Sequence, residues 1–319
     1  MWLLAAVVGT AVSLPCVEFD AWVREHGKEY ASAAERETRF RHFSANLASM
    51  RAAARASPLA SYAPDAWADL SASEQRAMRG GAYAPLSSEQ PEPSPGAHRA
   101  LAAGAIDWVA KGAVTTPTSQ GRCATCQSFA AAGGIEAAWF LGGHPLAKLS
   151  EQELIDCGGG DGYGMKWSIA NGLAGIAVAP LANHSDPNIT GCRGITSCAD
   201  AIARPTAHID GVAQLEGHAE DQILGMLQHG PVAVSLCAAP YNGYKGGIIN
   251  CTGSGVDHAN LLVGYGVDNG TAYWKLKNSW GPGFGEGGYA RLAYGNLCLR
   301  GACQAYIGAP PNYTRPARD

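Results

Sequence analysis

The sequence predicts an α+β body of two halves, one helical and one built of short strands, with a separate helical unit in front of it. Three observations carry that expectation. Apolar residues recur at helical spacing up to about residue 56 and again after Cys126, whereas beyond residue 205 they alternate as in strands. A proline-rich interval separates the first unit from the rest. Helices followed by strands, rather than alternating with them, is the order of an α+β fold.

The chain of 319 residues opens on an apolar run, Met1 to Gly9, followed by the small-x-small sequence Ala11-Val12-Ser13. Residues 1–15 therefore read as a secretory signal peptide, against the plainer alternative of a buried N-terminal strand. Entry into the secretory pathway permits disulfides. Of ten cysteines, Cys16 lies at the leader's edge, and nine remain. Pairing eight of nine leaves one thiol, a count that suits a single reactive cysteine. Asn183, Asn188, Asn250, Asn269 and Asn312 each precede x-Ser/Thr and are candidate glycosylation sites in the same compartment. Charged residues make up 16% of the chain and the net charge is −4, without the clustered basic surface that nucleic acid needs. No apolar run reaches the roughly 18 residues of a membrane span.

Residues 16–84 form the helical unit. Phe19, Trp22 and Val23 begin one amphipathic helix. A longer helix over about Ala33 to Ala56 sets Phe40, Phe43, Leu47 and Met50 on one face. Between Pro85 and Pro95 four prolines alternate with Ser, Glu and Gln, so residues 85–100 read as an exposed linker. The body, residues 101–319, begins beyond it.

Within the body, Ser119-Gln120-Gly121-Arg122-Cys123-Ala124-Thr125-Cys126 ends a loop, and a proline-free, alanine-rich helix follows with Phe129, Ala132, Glu136, Trp139 and Phe140 at helical spacing. A thiol in that first turn feels the positive end of the helix dipole, which favours the nucleophilic thiolate. Cys123 and Cys126 also form a C-x-x-C pair, readable as a redox dithiol, half of a zinc site, or a disulfide cysteine beside a buried thiol. The redox reading wants an alternating βαβ context that the body lacks, and no second C-x-x-C or H-x3-H pair follows for zinc. No metal or cofactor is expected.

Strands are expected over Pro231–Leu236, Asp257–Tyr265 and Ala272–Gly281. His258 opens the second and Asn278 closes the third. Alone, each is an ordinary structural residue. Their order behind Cys126, 132 and 152 positions downstream, is that of a cysteine nucleophile with a distant His and Asn.

A family resemblance now fits the pieces together. Glu35, Arg39, Phe43, Asn46 and Met50 match the spacing of the so-called ERFNIN helix, and Ala63-x-Asp65-x-Trp67-x-Asp69 is similar to the element after it. Ile106-Asp107-Trp108 and Leu149-Ser150-Glu151-Gln152-Glu153-Leu154-Ile155-Asp156-Cys157 are similar to segments of mature papain-family cysteine proteases. The resemblance implies a papain-like two-lobed fold, with a helical left lobe and a β-barrel-like right lobe behind an inhibitory helical prodomain. It implies a secreted or lysosomal/vacuolar endopeptidase made as a zymogen, acting on protein or peptide substrates, blocked by its own propeptide, and expected as a monomer. Cys126 would be the nucleophile, His258 its acid–base partner, Asn278 the orienting group and Gln120 an oxyanion donor. Trp280 would shield the His–Asn contact, and Gly164, Met165, Lys166, Ser235 and Ala259 would line substrate subsites. The family's pairings imply Cys157–Cys192 and Cys251–Cys298. Elimination leaves Cys123–Cys198 and Cys237–Cys303, one connectivity among many.

The pattern breaks in places. Gln127 stands where the family has a tryptophan beside the nucleophile, and the family's Gly-Cys-Asn-Gly-Gly segment survives only as Gly160-Asp161-Gly162-Tyr163-Gly164. Those departures motivate the rival reading of a catalytically impaired binding or storage protein. Retention of all four catalytic positions argues against it.

Overall fold

The computed structural model describes residues 15–79, 104–158, 165–171, 173, 198–199, 203, 205–215, 220–251, 255–295 and 299–311. The expected leader up to residue 14 and linker 85–100 lie outside them, as do Gly164, Asn183, Asn188, Cys192, Cys298 and Asn312.

The front unit consists of α1 (Pro15–Glu25), α2 (Ala33–Ala56), the short strand β1 (Ala60–Tyr62) and α3 (Ala72–Arg79). Helix α2 has the bounds that the periodicity predicts. Its start is capped from both directions: the Ser32 hydroxyl accepts from the Glu35 amide, and the Glu35 carboxylate reaches back to accept from the amide of Ala31, one residue before the cap. Phe19, Trp22, Phe43, Leu47, Met50 and Ala68 make this unit's own buried core. The motif residues fasten α2 to the segment behind it. Asn46 donates to the carbonyls of Ala68 (2.8 Å) and Leu70 (2.7 Å), and Arg39 grips both oxygens of Glu74.

The body adds β2 (Ile106–Asp107), α4 (Cys126–Leu141), α5 (Glu151–Asp156), α6 (Met165–Asn171), β3 (Gly211–Leu215), α7 (Glu220–Leu227), β4 (Val232–Leu236), β5 (Tyr244–Ile249), β6 (His258–Asp268), β7 (Thr271–Lys277), β8 (Tyr289–Ala293) and β9 (Leu299–Tyr306). Apart from the short β2 ahead of α4 and α7 between β3 and β4, the body's helices precede its strands, the α+β order read from the sequence. The sheet runs β1-β5-β8-β7-β6-β4-β9-β3, with β2 on β6. One body core lies on the sheet around Trp274, Tyr241 and Leu292, and a second packs α4 against Leu149, Met165 and Ala259. Between them, α4 and β7 are tied by charge. Glu136 is buried mid-helix, accepts from Thr115 and the Leu149 amide, and lies near Lys277 on β7. Burial holds the Lys277 amine down to about 8, although Glu136 pulls it up.

The front unit extends the body sheet. Strand β1 pairs antiparallel with β5, Ala60 facing Gly247. Gly247 sits at φ 89°, and a side chain there would strike the Leu59 carbonyl oxygen, so this approach requires glycine. No described helix is long and apolar enough to cross a membrane.

The disulfide pairing departs from the expectation. Cys157 is joined to Cys198, with Cα atoms 5.9 Å apart, which removes both Cys157–Cys192 and Cys123–Cys198. Cys237–Cys303 is also corrected, because both carry thiols. Cys303 stands opposite Ala233 on β4. Cys237 lies four residues further along, roughly 13 Å at strand rise, too far to bridge. Cys123 and Cys251 are held in disulfides as well.

Candidate active site

Three elements converge on one point. Helix α4 begins at Cys126, so the nucleophile candidate occupies the first helical position, where N–H groups have no intrahelical acceptor. Strand β6 begins at His258, and Asn278 directly follows β7, its neighbour in the sheet. Cys126 and His258 have no exposed surface.

The His258 Nε2 lies 2.8 Å from Asn278 Oδ1. The same oxygen accepts from Asn260 Nδ2 (2.9 Å) and the Ser279 amide (2.8 Å), which fixes which end of the Asn278 amide faces the ring. The other ring nitrogen, Nδ1, lies 3.0 Å from the carbonyl oxygen of Arg79. Both nitrogens thus face oxygens, an environment suited to the doubly protonated imidazolium. Burial alone would lower the His258 pKa. The Cys126 charge and hydrogen bond, with those to Asn278 and Arg79, outweigh it and hold the ring above its ordinary value.

Gln120 is also fully buried. The Ser279 hydroxyl donates to its Oε1, and the Gln120 backbone N–H donates to the Ser279 carbonyl at 2.8 Å. Its Nε2 is thereby turned to the carbonyls of Cys123 (2.7 Å) and Met78 (2.9 Å). The Trp280 ring lies 5.0 Å from the His258 ring, centre to centre.

The end of α3 fills the site. Cys126 Sγ donates to the Arg79 carbonyl at 3.0 Å, so one prosegment oxygen meets both thiol and imidazole while the Met78 carbonyl takes the Gln120 amide. Residues 102–307 match the papain family cysteine protease domain, and residues 19–74 match the cathepsin propeptide inhibitor domain.

The chain belongs to the papain family of cysteine proteases.

Cysteine proteinase B of Leishmania mexicana is 33% identical over 297 residues, covering 88% of this chain and 66% of that protein. The chain thus spans just under two thirds of that relative's length. Among solved structures, a recombinant stem bromelain precursor has a TM-score of 0.75 at 26% identity, over 92% of this chain and 99% of the other. Digestive procathepsin L 3 of Tenebrio molitor larval midgut has a TM-score of 0.69 at 28% identity, over 92% and 100%. The chain carries the family's propeptide inhibitor domain in front of its peptidase domain, the arrangement of a proform.

The expected subsite residues fare unequally. Ser235 and Ala259 face one another across β4 and β6, and Met165 packs in the same buried cluster as Ala259 and Cys126. Met165 has no exposed surface with the prosegment in place, as is true of Cys126, His258 and Gln120. The Lys166 side chain is outside the described set. Among the sequons, Asn269 is exposed at the β6–β7 hairpin tip, with Asn269 and Gly270 both at positive φ, as a tight hairpin turn requires. Asn250 donates its side-chain amide to the Ala56 carbonyl of the prosegment, so a glycan there competes with that contact.

Ser279, Asn260, Met78 and Arg79 take part in the site without being singled out from the sequence. Ser279 was legible as the residue after Asn278. The α3 contacts were not, because nothing local places residue 79 beside residues 126 and 258.

Proposed function

We propose that this chain is the zymogen of a cysteine endopeptidase that hydrolyses peptide bonds through Cys126, His258 and Asn278. The observation that carries the reading is the hydrogen-bonded line from Cys126 through His258 to Asn278, whose far amide oxygen is pinned by Asn260 and Ser279. The Cys126 thiolate attacks the substrate carbonyl carbon. The oxygen becomes an anion facing the Gln120 Nε2 and the Cys126 amide. His258 passes its Nδ1 proton to the leaving amine, and a thioester remains. Water, deprotonated by His258, releases the acid and regenerates the thiol. Asn278 keeps the ring aligned throughout, the third role of a triad.

The prosegment blocks each part of this machinery with a backbone carbonyl. The Arg79 carbonyl turns its oxygen, not its carbon, to the Cys126 sulfur, so it occupies the site without being placed for attack. We place the protein in the secretory pathway, either exported or in a lysosome or vacuole, on the leader-like run and the disulfides.

The test is active-site labelling with an epoxide thiol probe at mildly acidic pH, before and after proteolysis of the linker, with the labelled peptide mapped by mass. Labelling at Cys126 that is slow in the intact chain, fast after cutting and lost in His258→Ala, with matching peptide hydrolysis, supports the reading. A cut chain that neither labels nor hydrolyses overturns it and favours a binding protein.

A further inference from the structure

Prosegment and body meet at a sequon. Asn250-Cys251-Thr252 directly follows β5, and Asn250 carries three bonds to the end of α2. Its backbone amide donates to the Ser57 hydroxyl at 3.0 Å, and that hydroxyl donates to the Asn250 carbonyl at 3.4 Å. Its side-chain Nδ2 donates to the Ala56 carbonyl at 3.0 Å.

These bonds do more than touch. The last carbonyls of a helix have no intrahelical partner, and Asn250 supplies one from the body. Ser57 is buried, and its amide closes α2 onto the Ala53 carbonyl at 2.8 Å. From this turn the chain runs straight into the seam. The Ala60 amide donates to the Ser57 carbonyl at 2.9 Å, the Ile248 amide donates to the Leu59 carbonyl at 3.0 Å, and β1 then pairs with β5. Whatever displaces the turn at 56–57 therefore pulls on the strand that extends the body sheet.

The same Nδ2 is the atom that N-glycosylation modifies. Asn250 is half-buried, and its bond to Ala56 lies on the solvent side of the seam. In the transfer, Nδ2 bonds to the anomeric carbon of a lipid-pyrophosphate-linked oligosaccharide. The lipid pyrophosphate leaves, and Nδ2 gives up one of its two hydrogens as a proton. The sugar is bulkier than the whole asparagine side chain and hangs on an atom that already touches α2, so the 56–57 turn must draw back to admit it. Asn269 is the contrast: it is exposed at the β6–β7 tip and donates to its own neighbour, Asp268, at 3.0 Å. The transferase needs a sequon as mobile chain, whereas Cys251 ends up in a disulfide beside a strand. Transfer at Asn250 thus competes with folding.

We propose that Asn250 is a glycan acceptor and that its glycan loosens the prosegment, giving two proforms: a tight one with Asn250 bare and a leaky one with Asn250 glycosylated. This rests on the secretory reading above.

The experiment expresses the full-length chain, leader included, in a eukaryotic secretory host and maps its glycopeptides by mass. Epoxide labelling of Cys126 is then followed in the uncut protein. A fraction equal to the Asn250 occupancy is expected to label about tenfold faster than the rest, the scale of one or two hydrogen bonds lost at the seam. Thr252→Ala removes the sequon but keeps Asn250, and it should label in one slow phase. Thr271→Ala removes the Asn269 sequon and should leave the labelling of the wild type unchanged. A bare Asn250 beside a glycosylated Asn269, or a glycosylated Asn250 that labels as slowly as Thr252→Ala, overturns the proposal and leaves the secretory reading standing. A chain bare at every sequon overturns both. Hydrogen exchange at the amides of Ala60–Tyr62, expected to be faster in the wild type than in Thr252→Ala, reads the seam without the thiol. A Cys126 that fails to label even after the linker is cut therefore counts against the peptidase reading alone, and equal exchange in the two chains counts against the glycan.

Discussion

The two sides of the His258 ring are held by different parts of the molecule. Nε2 is held by Asn278, whose oxygen is fixed from within the body by Asn260 and Ser279. Nδ1 is held by Arg79, which arrives on a prosegment that folds around its own aromatic core. The body side is one continuous network of buried bonds. The prosegment side is a detachable unit joined by a strand pairing, a few polar contacts and the Arg79 guanidinium, which donates to Asp257 and Asn242. An inhibitor built this way leaves without disturbing the machinery beneath it, because it shares little apolar core with the body.

Breaking the body side should have the largest effect. His258→Ala in the activated enzyme should reduce kcat by about 10⁴-fold or more, as loss of a nucleophile's partner does elsewhere. The thermal unfolding of the intact chain should be unchanged. Breaking the prosegment side should do the reverse. Phe43 is fully buried amid Phe19, Trp22 and Met50, so Phe43→Ala should cost that unit about 3–5 kcal/mol. Calorimetry should show one transition lost or lowered and the other unchanged, with epoxide labelling of Cys126 becoming fast before the linker is cut. Joint movement of both transitions would mean that the two regions fold as one.

The sequence disclosed whatever is local. Helix α2 keeps its expected bounds because Ser32 and Glu35 cap it and its apolar face repeats at helical spacing. Cys126 heads a helix and His258 opens a strand because loop, glycine and pattern signals meet there. Cysteine pairing was not legible: Cys157 is joined to Cys198 rather than Cys192, a choice made by how chains pass in space. Nor was the buried Glu136, whose helical periodicity says nothing of Lys277 and Lys148, the cations it meets from distant segments. Arg79 was missed for the same reason, being one arginine of many in a charged helical unit.

Smaller effects sharpen the comparison at the ring itself. Asn278→Ala removes one of the bonds that hold the His258 pKa up against burial. The alkaline limb of kcat/KM should therefore move to lower pH, since a less stabilised imidazolium loses its proton sooner. A limb that stays put would assign Asn278 to orientation alone.

The smallest effect concerns acid and the prosegment. Glu74 accepts from the Ser71 amide and pairs with Arg39. Burial would raise its pKa, but the Ser71 hydrogen bonds and Arg39 outweigh this and hold the carboxyl at about 2, against 4.5 when unfolded. A carboxyl depressed on folding stabilises fully above its unfolded value, and its contribution fades as pH falls from there toward the folded one. Because its side chain is 41% exposed, Glu74→Gln should lower prosegment stability by only about 0.5–1 kcal/mol. That deficit should be equal at pH 7 and pH 5 and vanish near pH 2. Mild acid therefore leaves this clasp closed, and activation near pH 5 has to act at other contacts or through cutting of the linker. A deficit already gone at pH 5, in melting of the prosegment transition across pH, would make Glu74 an acid trigger.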